Sequence, residues 1–411
     1  MEKVRRENIK NFMRIGIDAR FYGPKKQKGL GRYLQELITE LEKIDTNNEF
    51  VIFLRCENWN DYQPINNNFR KVLADYRWYT FAEQIMMPIK IWREDIDLMH
   101  FPHFNIPIFC PTKFVVTIHD LILKHFPTRR ASTLGPIMYR IKNWGYEITI
   151  WLAVRRSQKI IAVSEFTKRD ILNNFNVADN KIKVIYEGVL SPVIPTPFVI
   201  PAKAGIQNVD LRFSAKGRTW RGNDKEEGRS NEIYLLYVGN AYPHKNLERL
   251  ILSFDKLSGD YPDLKLVLVG ELDYFYKRLQ EYVSGFNPKT TNNIIFTDLV
   301  SDNELNNLYK NASLYVFPSE YEGFGLPPLE AMSCGLPVVS SNASCLPEIL
   351  GNSAIYFNPV SVDDMVDKIK KVFNNRAIRK DLIEKGYQQI KKYNWQKMTK
   401  AIRRIYAEEK I

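Results

Sequence analysis

The chain has 411 residues, 45% of them apolar, and a formal net charge of +12. At about 150 residues per domain this length predicts two or three cores, and no apolar run nears the roughly 18 residues of a spanning helix, so an integral membrane protein is not expected. Cys56, Cys110, Cys334 and Cys345 show no CxxC spacing, which argues against a zinc site or a disulfide scaffold and for a reducing cytosol.

The first ten residues are charged and lack the apolar core of a signal peptide; strand-like sequence begins only at Met13, so residues 1–12 read as an extension. Short β-branched runs then alternate with longer periodic segments, at 15–18, 50–54, 97–101, 114–118, 160–163 and 183–185. The rhythm restarts at 234–238, 264–269, 293–296, 314–317, 337–340 and 354–356. Strand and helix alternating in this way predict two α/β, doubly wound parallel sheets.

Within the first half, Gly29-Leu-Gly31-Arg-Tyr33 follows a basic loop at 24–28 and opens a helix at Tyr33–Leu41, where glycines allow close backbone approach to phosphate. His100 and His103 end one strand and are acceptor-cleft candidates. Thr117-Ile-His119-Asp120 ends the next, at the carboxyl edge where open α/β sheets present ligand-binding groups. Between Lys124 and Lys159 basic residues interleave with aromatics. That stretch is either a solvated helix with its rings packed inward or a peripheral contact with an anionic membrane or lipid-pyrophosphate acceptor. No nucleic-acid-binding motif accompanies the charge.

Residues 190–232 are rich in proline and glycine without periodicity and read as a disordered linker or insert. The words Val199 to Gln207 and Arg221 to Lys225 resemble translation of a dispersed bacterial genomic repeat. Beyond them Tyr237 to Asn246 reads as strand, glycine turn and a helix start capped by Asn246, with Lys245 placed to neutralise a pyrophosphate. Tyr321-Glu322-Gly-Phe-Gly-Leu-Pro-Pro-Leu-Glu330 reads as glycine loop and helix start. Gly323 and Gly325 permit close approach, Pro327 and Pro328 suit the first helical turn, and the free NH groups attract an anion. Two carboxylates beside an anion site suit a ligand bearing phosphates and sugar hydroxyls, a nucleotide sugar. No Asp-x-Asp pattern suited to a divalent ion stands at an equivalent strand end, so no metal is expected. From Val362 onward the pattern is helical, with Trp395 opening a last amphipathic stretch.

The Glu-x₇-Glu segment, with the glycine loop, the His-Asp pair and the glycine-to-lysine turn in this order, resembles the signature of retaining GT-B glycosyltransferases of family four. The resemblance runs from about Arg14 to Tyr406 outside the insert. It implies a GT-B fold of two Rossmann-like domains facing across a cleft: 13–189 on the acceptor side, 233–392 for the nucleotide sugar, and a final helix, 393–411, crossing back to the first. It implies His119, Lys245 and Glu322 as catalytic residues, His119 positioning the sugar rather than acting as an obligatory base. Gly29, Gly31, Asn240, Lys245, Glu322, Phe324, Gly325, Leu326 and Glu330 become donor-binding residues, with Glu330 on the ribose, and Asp120 joins His100 and His103 as acceptor candidates. Many relatives carry arginine where this chain has Asn240, which leaves more of the charge to Lys245. The opening Arg14-Ile-Gly-Ile-Asp-Ala-Arg20 and the run Gly239 to Asn246 look like bacterial mannosyltransferases, so the expected reaction is transfer of mannose from GDP-mannose to a cell-envelope or lipid-linked glycan. It needs no cofactor beyond the nucleotide-sugar co-substrate, and the expected place is the cytoplasm, peripheral on the inner face of the membrane. The alternatives are a UDP-sugar-dependent glucosyl- or N-acetylglucosaminyltransferase and a non-catalytic sugar-nucleotide-binding paralogue.

Overall fold

The computed structural model describes residues 12–23, 28–126, 136–189 and 233–409. The expectations for the N-terminal extension, the basic loop at 24–27 and the 190–232 insert lie outside these residues, as does that part of the basic stretch which spans 127–135. The chain divides into two units, Met1–Gly188 with Asn394–Ile411, and Val189–Tyr393.

Unit 1 contains β1 (Arg14–Asp18), β2 (Glu49–Leu54), β3 (Phe69–Leu73), β4 (Leu98–Phe101), β5 (Lys113–Ile118), β6 (Ile160–Ala162) and β7 (Ile182–Val184). All pair in parallel, in the order β3-β2-β1-β4-β5-β6-β7. The crossover helices are α1 (Lys28–Ile44), α2 (Phe81–Arg93), α3 (Ile122–His125), α4 (Pro136–Arg156) and α5 (Glu165–Asn174). Side chains alternate across the sheet as the two-residue period requires. Phe50, Ile52 and Leu54 of β2 pack with Ile15, Ile17 and Leu37 on one face, whereas Val51 and Phe53 pack with Met99, Phe114 and Val116 on the other.

Unit 2 repeats the plan with β8 (Tyr234–Val238), β9 (Lys265–Val269), β10 (Ile294–Thr297), β11 (Leu314–Phe317), β12 (Val338–Ser341) and β13 (Ala354–Phe357), in the order β10-β9-β8-β11-β12-β13. Its helices are α6 (Leu247–Asp260), α7 (Tyr274–Ser284), α8 (Pro288–Asn293), α9 (Asp302–Asn311), α10 (Leu326–Ser333), α11 (Leu346–Leu350), α12 (Val362–Phe373) and α13 (Arg376–Ile390). In both sheets the strand order reverses beside the first strand, at β1/β4 and β8/β11, the topological switch point where such sheets open to ligands. The chain then returns to unit 1 as α14 (Trp395–Glu408), which packs on α1 and buries Trp395, Met398, Ile402, Ile405 and Tyr406. Removing five such side chains from water is worth on the order of 10 kcal/mol before chain entropy is charged against it.

Twelve of the thirteen strands lie within one residue of their expected limits. The missing one is β3, whose Phe-Arg-Lys-Val-Leu buries only Phe69 and Val72. It is an edge strand, and the charges that blunt an edge also erase the apolar signal. A second difference concerns Gly29 and Gly31, which lie in the first turn of α1 and not in a loop before it. Gly31 is there because a β-carbon would strike the carbonyl oxygen of Gly23 and stand 2.9 Å from that of Phe21; at Gly29 nothing lies within 4 Å.

The two glycines therefore respond oppositely to alanine. Gly31→Ala is expected to destabilise unit 1 by roughly 1–3 kcal/mol through overpacking against backbone. Gly29→Ala is expected to be neutral or stabilising by up to about 1 kcal/mol, as a better helix former at an open site. Urea unfolding of the two variants checks the pair, and equal effects would remove the close approach as the reason for Gly31.

Candidate active site

In unit 1 the ends of β4, β5 and β7 bring His100, His119 and Glu187 together. His119 is held from both sides: its Nδ1 donates to Glu187 Oε1 at 2.8 Å and its Nε2 to the Pro102 carbonyl at 2.9 Å. Both partners are acceptors, a geometry that favours the ring protonated on both nitrogens. Burial alone would lower its pKa, but the hydrogen bond and charge of Glu187, with Asp120 behind, outweigh that and hold it above the ordinary histidine value. The ring meets Tyr33 of α1 edge-on at 5.0 Å between centroids.

His100 has a different role from the acceptor contact expected of it. It is wholly buried, with Nδ1 2.6 Å from the Tyr406 hydroxyl and Nε2 2.9 Å from Thr117 Oγ1, which in turn lies 3.0 Å from the Tyr33 hydroxyl. Burial, then the nearby His119 charge, push its pKa down to about 3, so it stays neutral. His100 is thus a core hydrogen-bonding group that ties α14 and α1 to the sheet. His103 is partly covered, its ring 3.9 Å from that of Phe104, and its Nδ1 accepts the Asn105 amide at 3.3 Å. Asp120 turns back to accept the Ile122 amide at 3.0 Å.

Beneath these groups lies a charge cluster. Arg20 is 1% exposed and donates to both Asp18 oxygens and to Glu83 Oε1, each at 2.7 Å. Glu83 also accepts from Asn105 Nδ2 at 2.8 Å and the Tyr79 amide at 2.7 Å.

In unit 2 the loops after β8 and β11 meet. Lys245 ends the turn Pro243–Lys245, and its Nζ is 2.5 Å from Glu322 Oε1, the two side chains being only 13% and 10% exposed. The ammonium also lies 5.8 Å from the centre of the Phe317 ring. Beside it His244 is buried, and burial and the Lys245 charge lower its pKa to about 4. Asn246 is not the cap that was expected: it adopts a left-handed φ of 61°, makes no side-chain cap, and donates Nδ2 to the carbonyls of Pro318 and Pro359 at 3.0 and 2.8 Å. It thereby locks the lysine turn to the ends of β11 and β13. Asn240 is exposed, and its Oδ1 accepts the Tyr242 amide at 3.3 Å.

Gly325 has φ +90° and starts α10, a conformation in which glycine is favoured. Since Pro327 and Pro328 lack NH groups, the amides left to face a ligand at this helix start are those of Gly325 and Leu326. The Glu322 amide donates to Ser344 Oγ at 3.0 Å, and Phe324 packs edge-on against Tyr393. Four residues into α10, Glu330 accepts from the Tyr309 hydroxyl at 3.2 Å and remains partly exposed. Unit 2 thus offers one ammonium, two helix-start amides and two carboxylates around neighbouring strand ends. Among the described residues no three His, Cys, Asp or Glu side chains converge as a metal site.

The residue that sequence reasoning missed is Glu187. Its signal is an acid three residues past β7 and just before Gly188, where a β-carbon would strike the backbone and ring of Trp395.

A family model described as Glycosyl transferases group 1 matches residues 220–389, and one described as Glycosyltransferase Family 4 matches residues 28–189. The chain is 28% identical over 393 residues to the O-antigen chain mannosyltransferase B of Escherichia coli, a match spanning 90% of this chain and 93% of the relative. It is 27% identical over 314 residues to the O-antigen chain mannosyltransferase RfbU of Salmonella typhimurium, across 74% of this chain and 75% of that one. Among solved structures, Anabaena HepE in complex with UDP-glucose matches with a TM-score of 0.67 at 15% identity, covering 96% of this chain and 100% of that one. At that identity the likeness concerns the fold.

The His119–Glu187 contact has a measurable consequence. Histidine NMR should find His119 titrating above the ordinary value, and Glu187→Gln should bring it down. A raised folded-state pKa stabilises fully below the unfolded value near 6.5 and is lost as pH rises through the raised value. The stability advantage of the wild type over Glu187→Gln should therefore shrink as pH rises across that interval. A His119 pKa unmoved by the substitution would show that the carboxylate does not hold the proton.

Proposed function

Because the chain belongs to the glycosyl transferases group 1 and glycosyltransferase family 4, and is a glycosyltransferase of GT-B fold, we propose that it moves mannose from GDP-mannose to a cell-envelope or lipid-linked glycan with retention of anomeric configuration. The observation that carries the site assignment is the largely buried Lys245–Glu322 pair, one loop from the Gly325 and Leu326 amides. In this reading the donor's pyrophosphate takes the Lys245 ammonium and those amides, while Glu330 accepts hydrogen bonds from the ribose hydroxyls. The sugar C1–oxygen bond to phosphate breaks, the acceptor oxygen bonds to C1, and the acceptor proton leaves with the diphosphate. Lys245 stabilises the charge that grows on the leaving group, and Glu322 the charge on the sugar. His119, whose neighbours favour its doubly protonated form, contributes as a hydrogen-bond and positioning group and not as the base.

Mannose is favoured by the relatives' activity as O-antigen mannosyltransferases. The charge supplied by Lys245 makes a metal ion unnecessary in this reading. Four free cysteines fit work on the cytoplasmic side, and no helix of the described residues is long and apolar enough to cross a membrane, which fits attachment to the inner face from one side.

Release of nucleoside diphosphate from a panel of GDP-, UDP- and ADP-sugars tests the donor, with and without chelator. GDP-mannose should be turned over fastest and the chelator should not matter; faster turnover of UDP-glucose or UDP-N-acetylglucosamine would replace mannose in the reading. Glu322→Gln should lower kcat by about 100-fold or more with the fold intact by circular dichroism. Lys245→Ala should weaken GDP binding by roughly 1.5–3 kcal/mol in calorimetric titration, the value of a charged hydrogen bond.

A further inference from the structure

The surface of unit 1 has an apolar face that its core does not account for. Helix α2 buries Glu83, Met87 and Ile91, each four residues from the last. Its other side is apolar too: Phe81 is 90% exposed, Ile85 61%, Ile89 38% and Trp92 72%. These four stand at i, i+4, i+8 and i+11, a single stripe along the helix. Helix α4 presents a second stripe, with Trp144 and Trp151 exposed at 69% and 47% and Arg155 following one turn later.

One loop joins the two helices. Gln84 of α2 donates Nε2 to the Ile106 carbonyl at 3.3 Å and accepts the Ile108 amide at 2.7 Å, while Arg156 of α4 donates to the carbonyls of Ile108 and Cys110. Phe109, 77% exposed, sits on that loop and connects the stripes.

Basic residues flank both stripes. Lys90 and Arg93 end α2, Arg155 and Arg156 end α4, and the Arg155 guanidinium lies 5.2 Å from the centre of the Trp151 ring. The nearby acids are engaged: Glu83 is buried on Arg20, and Glu147, Glu94 and Asp95 pair with Lys124, Arg70 and Arg14. A second copy would cover the rings but bring the same cations against these, in a chain of net charge +12. An anionic bilayer satisfies both features, with aromatic rings at headgroup depth and cations on lipid phosphates.

We infer that α2, the 106–110 loop and the C-terminal half of α4 form the face by which unit 1 lies on an anionic membrane, with the α2 stripe entering the interface. This rests on the reading of the enzyme as working at a membrane, and it moves the main contact from the basic stretch alone to the apolar side of α2.

The test is co-sedimentation of the full chain with vesicles of phosphatidylcholine alone or mixed with phosphatidylglycerol, at low and high salt. The wild type should bind the mixed vesicles, and Ile85→Glu with Trp92→Glu should weaken that binding about tenfold or more. Arg93→Glu with Arg155→Glu should abolish the salt dependence. The milder Phe81→Ser with Trp92→Ser should fall between, with GDP affinity unchanged in all three as the check on folding. No binding by the wild type overturns the membrane reading and this face together. Wild-type binding that survives every substitution overturns the face and leaves the reading standing. Loss of self-association in the α2 variants, seen by sedimentation velocity, would assign the stripe to a second copy and overturn the proposal.

Discussion

Parallel pairing is the constraint from which the rest follows. When every strand of a sheet runs the same way, each crossover returns over a face, and all carboxyl ends open on one edge. In unit 1 that edge carries Asp18, His100, His119 and Glu187; in unit 2 it carries Lys245 and Glu322. Two of the pairs on these edges join residues far apart in sequence. His119 and Glu187 are 68 residues apart, Lys245 and Glu322 are 77, and the sheet makes neighbours of both pairs.

The two edges solve opposite electrostatic problems. Unit 1 favours the cationic form of a histidine by facing both nitrogens with acceptors, over a base stiffened by Asp18, Arg20 and Glu83. Burial would drive the Arg20 guanidinium towards neutrality, and the two carboxylates reverse that. Removing Arg20 would strand two buried acids, a loss of about 3–5 kcal/mol typical of broken buried pairs. Unit 2 aims a lysine by a carboxylate close to it. An incoming diphosphate would compete with Glu322 for that ammonium, so ligand binding and release of the carboxylate are linked in this geometry.

Continuous apolar runs made the central strands legible, because a strand covered on both faces needs apolar residues at nearly every position. The Glu322 to Glu330 segment was legible for another reason, since Gly325 and the two prolines each answer a local backbone demand. The residues that escaped depend on distance in sequence. Glu187 acquires meaning only when β7 is laid two strands from β5, and His100 differs from His103 through Thr117 of the next strand and Tyr406 arriving from α14. Phe-Arg-Lys-Val-Leu was invisible as a strand because an edge needs only a partial apolar side. Asn246 looked like a cap from its neighbours, but its amide is used by two prolines that lie 72 and 113 residues further on.

The return of α14 to unit 1 bears on the order in which this protein can be made. During synthesis the β1 to β7 sheet emerges first, but the face formed by Ile17, Leu41 and Tyr33 lacks its cover until residues 395–408 have left the ribosome. Unit 2 has no such dependence and can close while unit 1 still waits with an apolar surface bare. The usual N-terminal-first sequence of domain maturation is thereby inverted in its last step. A nascent chain halted inside unit 2 would display a sticky, nearly finished sheet, the kind of surface that chaperones hold.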